Sequence, residues 1–174
     1  MSIKYEAMND LDIRFYLGKK ARILTYNELA KFKTIEKLLP HHKAYFILLY
    51  PVASEFNGHW VCMTRYDKTL EYFSSYGTKP EIEFTWSTSN FKDNPRYLTQ
   101  LLNNTKLHTV YNSIDFQSKR QMISTCGAFA VFRVLTLIEL NADLGKNNLL
   151  LQTLKDSNPE FSFDDIVVNY INKR

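Results

Sequence analysis

Two cysteines in 174 residues, Cys62 and Cys126, are too few for a secreted disulfide scaffold, and they rule out a four-cysteine zinc site. The four histidines, His41, His42, His59 and His108, lack the HExxH spacing of a helical metal site. No metal or organic cofactor is therefore expected. No apolar run approaches the length that spans a bilayer. Met1 to Asp12 carries acids and has no apolar stretch of the signal-peptide kind. Internal repeats, low-complexity tracts and Gly/Ser linkers are also missing. These absences favour one protein domain over residues 1–174, working in a cytosolic, nuclear or virion-internal setting and not secreted.

Apolar residues make up 45% of the chain, with twelve Phe and eleven Tyr, which is enough to build a core without help. The net charge of +4 is unevenly spread. Arg14 to Lys43 holds eight lysines and arginines against Glu28 and Glu36, a local net of +6. A solvated basic face is the commoner meaning of such a run. The functional one is a surface for DNA or another anionic partner, through Lys19, Lys20, Arg22, Lys31 and Lys33.

The pattern along the chain predicts an α+β domain. Asp10–Leu17 reads as a short helix ended by Gly18, and Thr25-Tyr-Asn-Glu28 as a capping box for a helix over Tyr26 to Phe32 or beyond. Ala44–Tyr50, His59–Tyr66 and Thr69–Ser74 read as strands, the last two as a hairpin turning at Asp67-Lys68. Asn57-Gly58 reads as a turn just before His59. Asn94–Leu102 is predicted helical and Thr109–Tyr111 a further strand. After the polar stretch Asn112–Thr125, Cys126–Leu140 is apolar nearly all round, as for a helix in the centre of a domain. Two helices close the chain, near Asn147–Leu154 and Phe163–Ile171, the second capped by Ser162 and Asp165.

Cys126 stands where the central helix begins. Free N–H groups and the helix dipole favour a thiolate there, and Gly127 lets a substrate backbone come close. His59 opens a strand and reads as a partner for the thiol, since such pairs meet in space and not in sequence. A lone histidine is more often structural, and a lone cysteine on an apolar helix is usually a core residue. Their combination favours a Cys–His dyad. Gln117, nine residues before Cys126, can donate to an oxyanion, and Gln121 could do the same. Trp60 points to the opposite face from His59 and anchors its strand. Cys62, between Val61 and Met63, reads as a core residue.

In order along the chain, Gly58-His-Trp60, Leu70-Glu-Tyr-Phe-Ser-Ser-Tyr-Gly77, Phe116-Gln117 and Ser124-Thr-Cys-Gly127 resemble the adenain-like cysteine proteases. That group includes the adenovirus maturation protease, the SUMO-specific proteases, and the capsid-maturation proteases of large DNA viruses, virophages and Maverick-type elements. The likeness covers about residues 44–140 and looks more like the viral branch. It implies a papain-like, adenain-type fold, with a small central mixed sheet flanked by helices and the nucleophile at the start of a buried helix. It also implies His59 as general base, Cys126 as nucleophile, Gln117 as oxyanion donor, and Trp60 and Gly127 lining the substrate cleft. The implied substrates are viral capsid or core precursor proteins, met in the virion or in the host cytoplasm and its viral factories. One position departs from the pattern, because Ser74 stands where the family has an acid. Glu71 falls on the other face of the strand. This leaves a dyad with Ser74 as neutral orienter, an acid reaching in from a loop, or an inactive relative. Two other functions stay open: a ubiquitin-like-modifier protease or acyltransferase of the same fold, and a nucleic-acid-binding structural protein.

Overall fold

The computed structural model describes residues 5–54, 57–85, 96–120 and 123–174. Its elements are α1 (Asp10–Leu17), β1 (Ile23–Thr25), β2 (Tyr45–Ser54), β3 (Asn57–Tyr66), β4 (Thr69–Phe73), α2 (Tyr97–Asn103), β5 (His108–Tyr111), α3 (Cys126–Leu140), α4 (Leu144–Ser157) and α5 (Phe163–Asn172). Three 3-10 turns, Tyr26–Lys31, Ile35–Lys37 and Ile82–Thr85, complete the set.

The five strands lie in the order β1-β2-β3-β4-β5. The outer pairs, β1 with β2 and β4 with β5, are parallel, while β2, β3 and β4 run antiparallel. The sheet is thus mixed, with helices on both faces, which is the α+β class expected. Strand alternation divides the core in two. Ile47, Leu49, Trp60, Cys62 and Phe73 face α3 and α5. Phe46, Leu48, Tyr50, Val61, Met63, Leu70 and Tyr72 face Tyr26, Leu29 and α2. Trp60 therefore anchors its strand in the α3 layer, as alternation predicts. Cys62 is fully buried, and burial pushes its thiol up to about 12.

Local chemistry explains the boundaries. α1 begins in a capping box between Asn9 and Asp12, and stops at Gly18 with φ 91°. The Thr25 N–H donates to Glu28 Oε2 at 2.7 Å, but the turn it starts is 3-10 and ends at Lys31. The predicted helix is thus shorter and more tightly wound. α3 matches its expected span, and Asn141 ends it in the left-handed region. α4 is longer than expected at both ends, and at its N-terminus Asp143 Oδ1 accepts from the Lys146 N–H at 2.8 Å. β1 was not anticipated, because three residues carry too little periodicity. Among the described residues, no helix is long and apolar enough to cross a membrane.

One buried polar contact fixes α3 against the sheet. Arg133, in the middle of the apolar helix, pairs with Glu71 of β4 and donates to the Ala142 carbonyl at 3.1 Å. Glu71 Oε2 also accepts from Thr64 Oγ1 at 3.0 Å, and Oε1 from the Leu144 N–H at 2.8 Å. Glu71 thus faces α3, on the opposite side of the strand from Ser74. Its carboxylate sets the register of the helix that carries Cys126.

Candidate active site

Cys126 is the first residue of α3. The residue before it, Thr125, turns its hydroxyl away from the helix to Asp164 of α5, and Asp164 Oδ2 accepts from the Ser118 N–H at 3.0 Å. One buried carboxylate thereby ties the polar loop, the helix start and α5 together. It leaves the first N–H groups of α3 without a side-chain cap.

The thiol lies against the β3 backbone. The Trp60 N–H donates to Cys126 Sγ at 3.4 Å, so the sulfur sits beside the peptide that links His59 to Trp60. The N–H groups of Trp60, Gly127 and Cys126 itself favour the thiolate. Burial outweighs them and raises the thiol pKa. The expectation that the helix start would lower it is thus corrected: desolvation wins in this closed site.

His59 is buried in β3, opposite Tyr50 of β2. Gly58 lies within β3, paired with Pro51, and is not part of a turn. Its need for a hydrogen side chain comes from close approach, because a Cβ there would fall 1.7 Å from the Tyr50 carbonyl oxygen. Tyr76 stacks on the imidazole, with centroids 4.9 Å apart and planes at 27°. Burial lowers the His59 pKa to about 3. In this state the ring is neutral.

Ser74 Oγ lies 3.1 Å from His59 Nε2, so Ser74 meets the ring. The hydroxyls continue: Ser74 Oγ and Thr78 Oγ1 are 3.0 Å apart, and Thr78 Oγ1 donates to Glu83 Oε1 at 3.2 Å. Glu83 Oε1 is itself 3.9 Å from His59 Nε2, with both side chains buried. Glu83 Oε2 has no hydrogen-bond partner among the described residues. Burial raises this carboxyl to about 7, against weaker lowering by its own N–H and by Thr78. An acid from outside the strand thus stands beside the imidazole.

The turn that carries Glu83 is firmly held. Glu81 Oε1 accepts from the Tyr26 hydroxyl at 3.1 Å and from the Thr99 N–H at 3.0 Å, while the Glu81 N–H donates to Tyr50 Oη at 3.2 Å. Phe84 packs edge-on against Tyr26 and Tyr50. Glu83, Thr78 and Tyr76 escaped the sequence reading. The only hint of Glu83 was an acid set between two apolar residues, Ile82 and Phe84, which nothing in sequence connects to a histidine on another strand.

Gln117 is buried beside the same loop. Its Oε1 accepts from Ser75 Oγ at 2.6 Å, and its backbone N–H donates to the Ser75 carbonyl at 3.1 Å. The oxygen end of the amide is thereby fixed, and the NH2 group is its donor end. Gln121 lies outside the described residues. Trp60 and Gly127 flank Cys126, one through its N–H on the sulfur and the other as the next residue of the helix. Both also touch Met8: the indole Nε1–H donates to the Met8 carbonyl at 2.8 Å, and a Cβ on Gly127 would fall 2.8 Å from Met8 Cβ. Among the described residues, no group of three or more His, Cys, Asp or Glu is placed to hold a metal ion.

The class defined by these elements is an α+β domain with a small five-stranded mixed sheet flanked by helices. No family model matches the sequence. Uncharacterized protein V9 of Sputnik virophage is 32% identical over 134 residues, which span 74% of this chain and 75% of that protein. The chain belongs to the same family as this virophage protein, so its relationship is to viral proteins. Among solved structures, the central domain of the uncharacterized Lpg1148 protein from Legionella pneumophila aligns with 97% of this chain and 95% of its own, at 20% identity and a TM-score of 0.48.

Proposed function

We propose that this chain is a cysteine endopeptidase with Cys126 as nucleophile and His59 as general base. The observation that carries the reading is the placing of the Cys126 thiol against the peptide that joins His59 to Trp60, on the strand whose buried His59 turns Nε2 to Ser74 and Glu83. Since Nε2 is committed to that side, Nδ1 takes the thiol proton. The thiolate attacks a peptide carbonyl, and the C–N bond breaks as His59 returns the proton to the leaving amine. Water then attacks the thioester, again with His59 as base, and the thiol is restored. The N–H groups at the start of α3 and the Gln117 NH2 are the donors for the oxyanion of each tetrahedral intermediate. Ser74 and Thr78, whose hydroxyls rotate freely, carry polarisation from the imidazolium to Glu83. No metal or cofactor enters any of these steps.

Kinship with a virophage protein favours substrates of viral origin, namely capsid or core precursors, cut in the virion or the infected cytoplasm. DNA binding is the weaker part of the reading. Arg14 and Arg22 donate to backbone carbonyls of their own region, Arg14 to Lys19 and Ala21, Arg22 to Lys37 and Leu38. Lys19, Lys20, Lys31 and Lys33 remain as exposed cations for such a surface.

The direct test co-expresses the chain with viral capsid precursors and compares it with Cys126→Ala and His59→Ala. Cleavage is expected to vanish in the first and nearly vanish in the second, with non-additive losses in the double variant. Normal cleavage by Cys126→Ala would overturn the reading.

A further inference from the structure

The segment before α1 runs across the site. The Tyr5 carbonyl accepts from the Ser124 N–H at 3.1 Å, two residues before the nucleophile. The Met8 carbonyl accepts from the Trp60 indole at 2.8 Å, one residue after the base. Between these anchors Glu6 and Ala7 are exposed and belong to no helix or strand. The Met8 side chain lies where any substituent on Gly127 would go, with Cβ at 2.8 Å and Sδ at 3.2 Å from the position of such a Cβ. The Tyr5 hydroxyl reaches Asp165, at the start of α5. Asn9 then caps α1 and returns the chain to the body of the fold.

This is how an extended peptide lies in a protease groove: carbonyls taken by fixed N–H donors, and a side chain set against the glycine beside the nucleophile. We propose that Tyr5–Met8 is a strap that occupies the substrate groove in cis and holds Cys126 unreactive until it is displaced. The inference rests on the protease reading of Cys126, and adds to it how that site is kept shut. The cover excludes water from the thiol, in keeping with a sulfur whose pKa burial has raised. The contacts of the strap include one main-chain hydrogen bond, one from the Trp60 indole, the Tyr5 hydroxyl on Asp165 and the Met8 side chain. Glu6 and Ala7 are exposed, and Met8 is the residue of the strap that packs on the core, so displacement acts through Met8.

The test is the alkylation rate of each cysteine by iodoacetamide, followed by mass spectrometry, in the full chain and in Tyr5→Phe, Met8→Gly and the double variant. Cys62 is the internal control, because it is fully buried in the core and makes no hydrogen bond with the strap in the contacts described above. Loss of one tether is expected to speed Cys126 alkylation about fivefold. The double variant should be faster still, with Cys62 unchanged. A synthetic peptide of residues 1–10, added in trans, should slow Cys126 again in the double variant. Unchanged Cys126 rates in all three variants would overturn the strap, and so would equal acceleration of both cysteines, which would make the segment a structural tie. Alkylation needs no hydrolysis, so the two readings fail separately. Faster Cys126 alkylation in a chain that cuts no precursor supports the strap and counts against the protease. Cleavage of precursors at a rate indifferent to these variants keeps the protease and removes the strap.

Discussion

Glu83 Oε1 stands 3.9 Å from His59 Nε2, and both side chains are buried. Glu83 comes from a 3-10 turn, outside the strand β4 that leads to Ser74. The hydroxyls of Ser74 and Thr78 form a second, hydrogen-bonded link from the ring to Glu83.

This pair makes Ser74→Asp an unrewarding change. A second carboxylate beside Glu83 would raise the Glu83 pKa further by like-charge repulsion, leaving about one negative charge near the ring. Ser74→Asp is therefore expected to give no gain by itself. Glu83→Gln should lower kcat/KM about tenfold at pH 8, and the difference should shrink below pH 6, where the wild-type carboxyl, held at about 7, is already protonated. Adding Ser74→Asp to Glu83→Gln should restore most of the loss. The pH profiles of cleavage for the four proteins decide the matter; a Glu83→Gln profile that overlays the wild type would remove Glu83 from the mechanism.

Folding stability should carry the signature of the same pair. His59 falls from 6.5 to about 3 on folding, so its contribution is present above pH 6.5 and is lost as pH falls toward 3. Glu83 rises from 4.5 to about 7, so its contribution is present below pH 4.5 and is lost as pH rises through 7. Between 4.5 and 6.5 the two slopes oppose, each at most about 1.4 kcal/mol per pH unit. Urea unfolding at pH 3.5, 5.5 and 8 is the measurement. His59→Gln should lessen the acid-side loss, and Glu83→Gln the loss between pH 5.5 and 8. The same pH dependence in both variants as in the wild type would mean that neither group is held neutral by burial.

Glu71→Ala should destabilise by about 3–5 kcal/mol, because it strands the buried Arg133 guanidinium. Chemical denaturation gives the value. A loss under about 1 kcal/mol would mean that Arg133 finds water or another acceptor.

Gly58→Ala should cost about 1–3 kcal/mol and lower activity as well. The new methyl meets the Tyr50 carbonyl, and β3 must shift at the residue before His59. Unfolding curves and cleavage rates together test this; unchanged values for both would show that the strand pair has slack there.

The sequence alone determined the elements whose signals are local. Cys126–Leu140 is apolar nearly all round and so reads as a buried helix; Gly18 and Ser162 mark their helix ends through signals that lie within a few residues. Strand alternation likewise set Trp60 on the opposite face from His59, and Glu71 and Ser74 on opposite faces. The order of His59, Gln117 and Cys126 was legible for the same reason, as residue types at positions in a pattern. Tertiary structure decided the rest. Glu83 reaches His59 only because Glu81, Tyr26, Tyr50 and Thr99 hold its turn beneath the sheet. Met8 meets Gly127 from more than a hundred residues away. Protonation was beyond the sequence as well. A helix start favours a thiolate, and a histidine in water titrates at 6.5, but burial raises the thiol pKa and drops the imidazole to about 3. Desolvation belongs to the assembled surroundings of a group, and those surroundings come from segments that are distant in the chain.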